Sequence, residues 1–195
     1  MILDLNCEIK YKEVFLSEEE SDTIYKELSE IKEFTKPFSM ILFNGERYQE
    51  NYGKHMFMDI ELFKENKLPS EIWGPSKPWT ERLLVIKDRI EEETGHQFQV
   101  CVCIYYPDGN SGVDYHSDQV AFGDTSHIVS ISLGEERVFH LREKLTQKVH
   151  EVVLKKGSLL LMGEHCQERY EHALPLDLNY KQPRINLTFR KFGFD

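Results

Sequence analysis

The sequence predicts an α+β fold that is mainly β, and three observations carry that expectation. Two segments of helical period precede a long stretch of strands. Six strand-like runs follow one another after about residue 98, separated by turn signals. No linker, repeat or low-complexity segment divides the 195 residues, so residues 1–195 read as a single domain. Many short strands after flanking N-terminal helices suit a barrel or a two-sheet sandwich.

The first element follows from "SEEESDTIYKELSEIKEF". Ser17 and Glu20 form a capping box, and Ile24, Leu28 and Ile31 recur at helical spacing, so a helix is expected over about 17–34. Residues 36–79 are rich in Gly, Pro, Asn and aromatics and read as short strands and long loops. A loop region of that length in a compact domain is usually functional or disordered, and the aromatic content argues against disorder. A second helix follows in "PWTERLLVIKDRIEEETG", where Trp79, Leu83, Ile86 and Ile90 line one face and Gly95 stops it. The strand runs are "FQVCVCIYY", "HIVSISLG", "RVFHL", "VHEVVL", "GSLLLMG" and "RINLTFR".

Composition excludes several classes. No apolar run approaches the roughly 20 residues that span a bilayer. The opening "MILDLNCEIKYKE" lacks the long apolar centre of a secretory signal. Cys7, Cys101, Cys103 and Cys166 show no CxxC spacing, and Cys101 and Cys103, one residue apart in a strand-like run, read as packed thiols rather than a bridge; this suits a reducing compartment, cytoplasmic, or nuclear in a eukaryotic cell. A net charge of −10 argues against a broad grip on nucleic acid. The segment 137–156, with Arg137, Arg142, Lys144, Lys148, Lys155 and Lys156, is the one local basic run, and it reads first as a solvated hairpin face.

The chemistry-bearing residues lie in the strand region. On an extended backbone His116 and Asp118 of "DYHSDQ" point the same way and make a metal half-site. A third ligand is available in His172 of "RYEHALP". Two histidines and one carboxylate form the facial triad of non-haem Fe(II) oxygenases, which leaves positions open for a chelating acid and dioxygen. The strand "RINLTFR" places Arg184, Asn186, Thr188 and Arg190 on one face and Ile185, Leu187 and Phe189 on the other. The two guanidinium groups beside a core need an anion, and the dicarboxylate 2-oxoglutarate would supply it. Singly, His172 reads as a packed histidine and the arginines as internal or surface ion pairs. Jointly, the residues occur in the order that one site demands.

These motifs closely resemble those of the AlkB-like Fe(II)/2-oxoglutarate dioxygenases, most of all the group that repairs alkylated nucleobases. The resemblance rests on "GSLLLM", "HALP", "PRINLTFR", "YYPDGNSGVDYHSD" and "ISLGEERVF", covers about 77–192, and reaches weakly back to "RYQENYG". It implies a double-stranded β-helix (jelly-roll) core over about 98–192 and a substrate lid over about 36–79. It implies iron held by His116, Asp118 and His172, and 2-oxoglutarate held by Tyr106, Arg184, Asn186 and Arg190. Three departures stand out: Ile104 replaces an Asn that helps hold the cosubstrate, Gln119 and Val120 replace acidic residues after the metal Asp, and Glu171 precedes the distal His where an aromatic is common.

The activity so implied is oxidative demethylation of N-alkylated bases in DNA or RNA, with O₂ consumed and formaldehyde, succinate and CO₂ released. The base would be single-stranded or flipped, stacked between His116 and an aromatic of the lid. Tyr48, Tyr52 and Phe57 are the lid candidates, with core packing in a buried strand through "NYGKHMF" the equal alternative, and Gln119 and Tyr170 are the others of the substrate shell. Oxidation of a protein or small-molecule substrate is the alternative, and a non-enzymatic binding module the third reading. A monomer is expected.

Overall fold

A computed structural model describes residues 5–41 and 45–194; residues 1–4, at the start of the chain, and 42–44, in the expected lid, lie outside the described residues. In chain order the elements are β1 (Ile9–Lys12), α1 (Glu18–Ser29), β2 (Ser39–Ile41), β3 (Arg47–Gln49), β4 (Gly53–Met58), α2 (Ile60–Lys64), α3 (Ser70–Trp73), β5 (Ser76–Pro78) and α4 (Glu81–Thr94). Then come β6 (Val100–Tyr106), β7 (Val113–His116), β8 (Ile128–Gly134), β9 (Arg137–Glu143), β10 (Val149–Leu154), β11 (Leu159–Met162), α5 (Cys166–Arg169), β12 (Tyr170–Leu174) and β13 (Arg184–Arg190).

Two sheets make the core. The major sheet runs β1-β11-β8-β13-β6-β4-β5 and the minor sheet β10-β9-β12-β7. All pairs are antiparallel except β4 with β5. Side chains of both sheets meet in one apolar layer, where Ile9, Ile128 and Leu160 of the major sheet pack with Leu141, Val152 and Leu154 of the minor. The other face of the major sheet buries Ile185, Leu187 and Phe189 against Ile24 and Leu28 of α1 and Leu83, Ile86 and Ile90 of α4. The result is a jelly roll with helices on one outer face. Among the described residues no helix is long and apolar enough to cross a membrane.

Local sequence explains the helix ends. The Ser17 hydroxyl accepts from the Glu20 amide, and the Glu20 carboxylate accepts from the Ser17 amide. The Thr80 hydroxyl caps α4 by accepting from the Leu83 amide, and Gly95 ends it at φ 76°. Helix α1 stops at Ser29, short of the expected residue 34, because the chain tightens: the Ile31 amide donates to the Leu28 carbonyl and the Phe34 amide to the Ile31 carbonyl. That turn drops Phe34 into the core beneath Gly53, where a Cβ would stand 1.8 Å from the Phe34 carbonyl oxygen.

Two expectations need correction. The order is not helices first and strands after. β1 opens the described chain and pairs with β11 at the sheet edge, its alternation of buried Ile9 and Tyr11 with exposed Lys10 and Lys12 being a strand signal that was there to be read. The basic run is not a uniformly solvated face either. Arg137 is 1% exposed, donating to the carbonyls of Ser111 and Pro175. Arg142 pairs with Glu171, Lys155 with Glu13, and Lys156 with Glu18 and Asp22, so these charges are largely met by acids of the chain.

Candidate metal centre and anion site

The minor sheet brings two histidines together by strand register. β7 ends on His116, β12 carries His172, and the two are cross-strand partners with ring centroids 4.3 Å apart. Asp118 lies just past the end of β7. Its backbone amide donates to the Gln167 side chain at 2.8 Å, and the Ser117 hydroxyl donates to the Tyr170 carbonyl, so the turn after β7 is tied to α5 and β12. One potential ligand atom from each of His116, Asp118 and His172 lies within 4.8 Å of the others. Among the described residues this is the one such group of three or more.

Protonation suits a cation there. The Asp114 carbonyl can only accept, so the His116 Nδ1 that meets it at 2.8 Å carries the proton and Nε2 keeps a free lone pair. Burial pulls His172 down to about 4, His116 and Arg190 adding to the effect and Asp118 opposing it, so His172 is neutral at pH 7. An Arg190 Nη stands 3.3 Å from Asp118 Oδ1 without hydrogen-bond alignment, a close electrostatic contact. Two imidazoles and one carboxylate, His116 and Asp118 from the end of β7 and His172 from β12, are a fitting donor set for Fe(II).

A second feature adjoins the triad. Arg184 is 2% exposed, and one of its Nη atoms donates to Ser132 Oγ and Asn186 Oδ1, each at 3.1 Å. Its Nε has no partner, and no acid pairs with it among the described residues. Burial pulls the guanidinium down to about 10, with Tyr106 opposing, which leaves it charged. A buried guanidinium with a free donor and no carboxylate is an incomplete arrangement that an anion would complete. Asn186 is itself fixed, accepting from Ser130 Oγ and donating to Thr188 Oγ1. The two features fit Fe(II) at one end and the far carboxylate of 2-oxoglutarate at the other.

A cavity of about 260 Å³ joins them. His116, Asp118, His172, Tyr106, Arg184, Asn186 and Arg190 all line it, as does Tyr52, whose ring lies 6.0 Å from that of Tyr106. The remaining substrate candidates do not line it. Tyr48 is 47% exposed on β3, and Gln119 is exposed beyond Asp118. Phe57 is fully buried on the helix side of the major sheet, because strand alternation turns it away from the cavity, which corrects its reading as a lid residue. Tyr170 is likewise displaced from the substrate shell: it shares the His172 side of β12 but lies further back, packed with Ile9 and Met162, its hydroxyl accepting from the Asn6 amide.

Three residues went unread in the sequence. Phe139 walls the cavity, its ring 5.5 Å from His172, and its place in "RVFHL" was the available signal. Gln167 and Lys54 carry no local pattern that marks them. Lys54 lines the cavity from β4.

Comparison with known proteins agrees with this chemistry. The sequence profile described as "2OG-Fe(II) oxygenase superfamily" matches residues 8–190. The chain is 35% identical over 126 residues to the alpha-ketoglutarate-dependent dioxygenase alkB homolog 3 of Mus musculus, a match spanning 60% of this chain and 44% of that protein. It therefore spans less than half the length of that relative. To the DNA oxidative demethylase ALKBH2 of Bos taurus it is 31% identical over 208 residues, covering 96% of this chain and 69% of the other. The solved structure of OsALKBH1 shares the fold with a TM-score of 0.65, at 16% identity and over 97% of this chain and 100% of the other.

Proposed function

The chain belongs to the AlkB-like group of the 2OG-Fe(II) oxygenase superfamily, and from that membership we propose that it is an Fe(II)- and 2-oxoglutarate-dependent dioxygenase that demethylates N-alkylated bases in DNA or RNA. One observation carries the reading: a His-Asp-His group with ligand atoms within 4.8 Å shares a cavity with a buried guanidinium that lacks an acid. When bound, Fe(II) and 2-oxoglutarate would activate O₂, one oxygen atom entering succinate as CO₂ is lost and the other hydroxylating an N-methyl group, from which formaldehyde then leaves to restore the base.

Each residue then has a task. His116 Nε2, a His172 ring nitrogen and an Asp118 oxygen bind the metal. Gln167 and Arg190 hold the segment and the carboxylate of Asp118 in place. Arg184, aided by Tyr106 and by the Asn186 side chain, binds the distal carboxylate of the keto-diacid. Phe139 and Ile104 present apolar wall and limit water near the reacting carbon. Tyr52, which lines the cavity together with His116, is the aromatic suited to stack on a base that is flipped out or already single-stranded.

The net charge of −10 and the Gln119–Val120 pair after Asp118 favour a second reading, oxidation of a protein or small molecule. A succinate-release assay with Fe(II), run with and without N-methylated oligonucleotides, separates the two. Stimulated turnover and formaldehyde release are expected. Turnover indifferent to oligonucleotides supports the second reading, and no turnover with no metal binding overturns both. His172→Ala should drop succinate release to background while far-UV circular dichroism stays unchanged; an active variant means that the ligand is wrongly assigned.

A further inference from the structure

Lys54 is a cation without an assigned task. It lies on the cavity face of β4, in register with Ile104 of β6, which is in register with Asn186 of β13. The 260 Å³ cavity is lined by three cationic side chains, Lys54, Arg184 and Arg190, against one acid, Asp118. Arg190 contacts that acid and Arg184 faces the cosubstrate tail, so Lys54 is the unassigned charge. No ion pair joins it to an acid among the described residues. The acid that attracts it, Glu50, makes no ion pair with it.

Lys54 also lines a second, larger cavity of about 820 Å³ that contains none of the triad. Its ammonium lies 5.0 Å from the ring centroid of Phe38, a residue of that cavity, and 6.0 Å from that of Trp73. The larger cavity offers hydroxyl and amide groups from Ser39, Ser70, Ser76 and Asn66. Its one acid, Glu33, is already paired with Lys36 at 2.9 Å. In a chain of net charge −10 this is a donor-rich hollow of neutral to positive character, beside the iron pocket, with a cation at the boundary.

We propose that Lys54 binds the phosphate flanking the modified base, and that the larger cavity receives the adjoining nucleotide while the iron pocket receives the base. The proposal rests on the nucleobase reading above and names how that substrate's backbone is held. A phosphate fits better than the metal-side end of 2-oxoglutarate, because the ammonium lies 5.0 Å from the ring centroid of Phe38, which lines the larger cavity. Burial and the charge of Arg190 pull Lys54 down to about 8, and an anion docked beside it would reverse that shift.

The test measures binding of a short single-stranded oligonucleotide carrying one N-methylated base to the full chain, with Mn(II) and 2-oxoglutarate present and oxygen absent, across a range of NaCl. Lys54→Met should weaken binding roughly 5- to 10-fold and flatten the salt dependence by about 0.7 in log K against log salt, the contribution of one phosphate contact in a single strand. Lys54→Arg should stay within about twofold of the parent, and the Mn(II)-dependent affinity of Lys54→Met for 2-oxoglutarate should not change, which also establishes that the pocket is folded. An unaltered salt slope overturns the proposal. So does a parallel loss of 2-oxoglutarate affinity, which would move Lys54 to the cosubstrate. A parent chain that binds 2-oxoglutarate but ignores the oligonucleotide overturns the nucleobase reading itself, and this proposal with it.

Discussion

Strands β13 and β4 lie in the same sheet, each paired with β6, yet they treat their polar side chains in opposite ways. On β13 the polar row is a connected network: Arg184 donates to Asn186 and Ser132, and Asn186 donates to Thr188 and accepts from Ser130. On β4 the polar side chains are isolated. His55 is buried among Phe34 and Phe57 with both ring nitrogens unpartnered, and Lys54 has aromatic faces but no acid. The difference teaches that burial alone does not mark a binding group. A buried polar group that is held by neighbours yet keeps one free donor, as Arg184 does, is preorganised for a ligand. One with no partner at all, as His55, is a standing cost in stability.

The largest test of this contrast is Arg184→Ala. Removing the guanidinium should raise the 2-oxoglutarate concentration needed for half-saturation roughly 100-fold, the size of a lost charge-assisted, water-excluded contact. Titration of 2-oxoglutarate against succinate formation measures it. Ordinary cosubstrate affinity would dissolve the distinction between the strands.

His55→Leu probes the other side. Burial, with Lys77 adding to it, pulls His55 from 6.5 to about 4 in the fold. The unfolded chain therefore takes up the proton first as pH falls, and stability is lost between about pH 6.5 and 4 and recovered above that window. At pH 5 the loss traced to His55 is about 2 kcal/mol relative to pH 8. The Leu variant should be more stable at both values and should lack that part of the pH dependence. Urea unfolding at the two pH values decides it; an equal acid loss in parent and variant would mean that His55 is not a stored cost.

The smallest effect is expected for Thr188→Val. It deletes the acceptor for the Asn186 amide while keeping the shape of the side chain, and so loosens the support of Arg184 without touching its charge. A rise of about threefold in the 2-oxoglutarate requirement is expected, near the value of one neutral hydrogen bond. No change would show that Asn186 is held in place by Ser130 and Arg184 without Thr188.

Much of this contrast was open to reading from residues. The two faces of β13 follow from alternation, and every strand after residue 98 that the periodicity predicts is present. The capping box of Ser17 and Glu20 and the stop at Gly95 are local rules obeyed locally. The region 36–79 was legible only as irregular. Its short helices α2 and α3 have no buried residues and no side-chain cap, so neither hydrophobic period nor capping chemistry announces them. Lid aromatics were equally hard to sort. Tyr52 and Phe57 look alike in sequence, yet Tyr52 lies just before β4 and lines the cavity, whereas Phe57 lies within β4 and is buried on the helix side.

What the sequence by itself determined is therefore what acts over a few residues: where helices start, which side chains share a strand face, and that His116, Asp118, His172, Arg184 and Arg190 are of the right kinds and order for iron and a keto-diacid. What only the tertiary structure decided is who meets whom across distant strands. The pairing of β7 with β12 sets His172 against His116, a turn after β7 is held by Gln167, Arg137 disappears inside a hairpin that reads as solvated, and Lys54 comes to stand between two cavities. The reason is physical. Side-chain alternation and capping are fixed by backbone geometry within one or two turns, whereas sheet register is set by the summed burial of the whole chain, which no short window of residues contains.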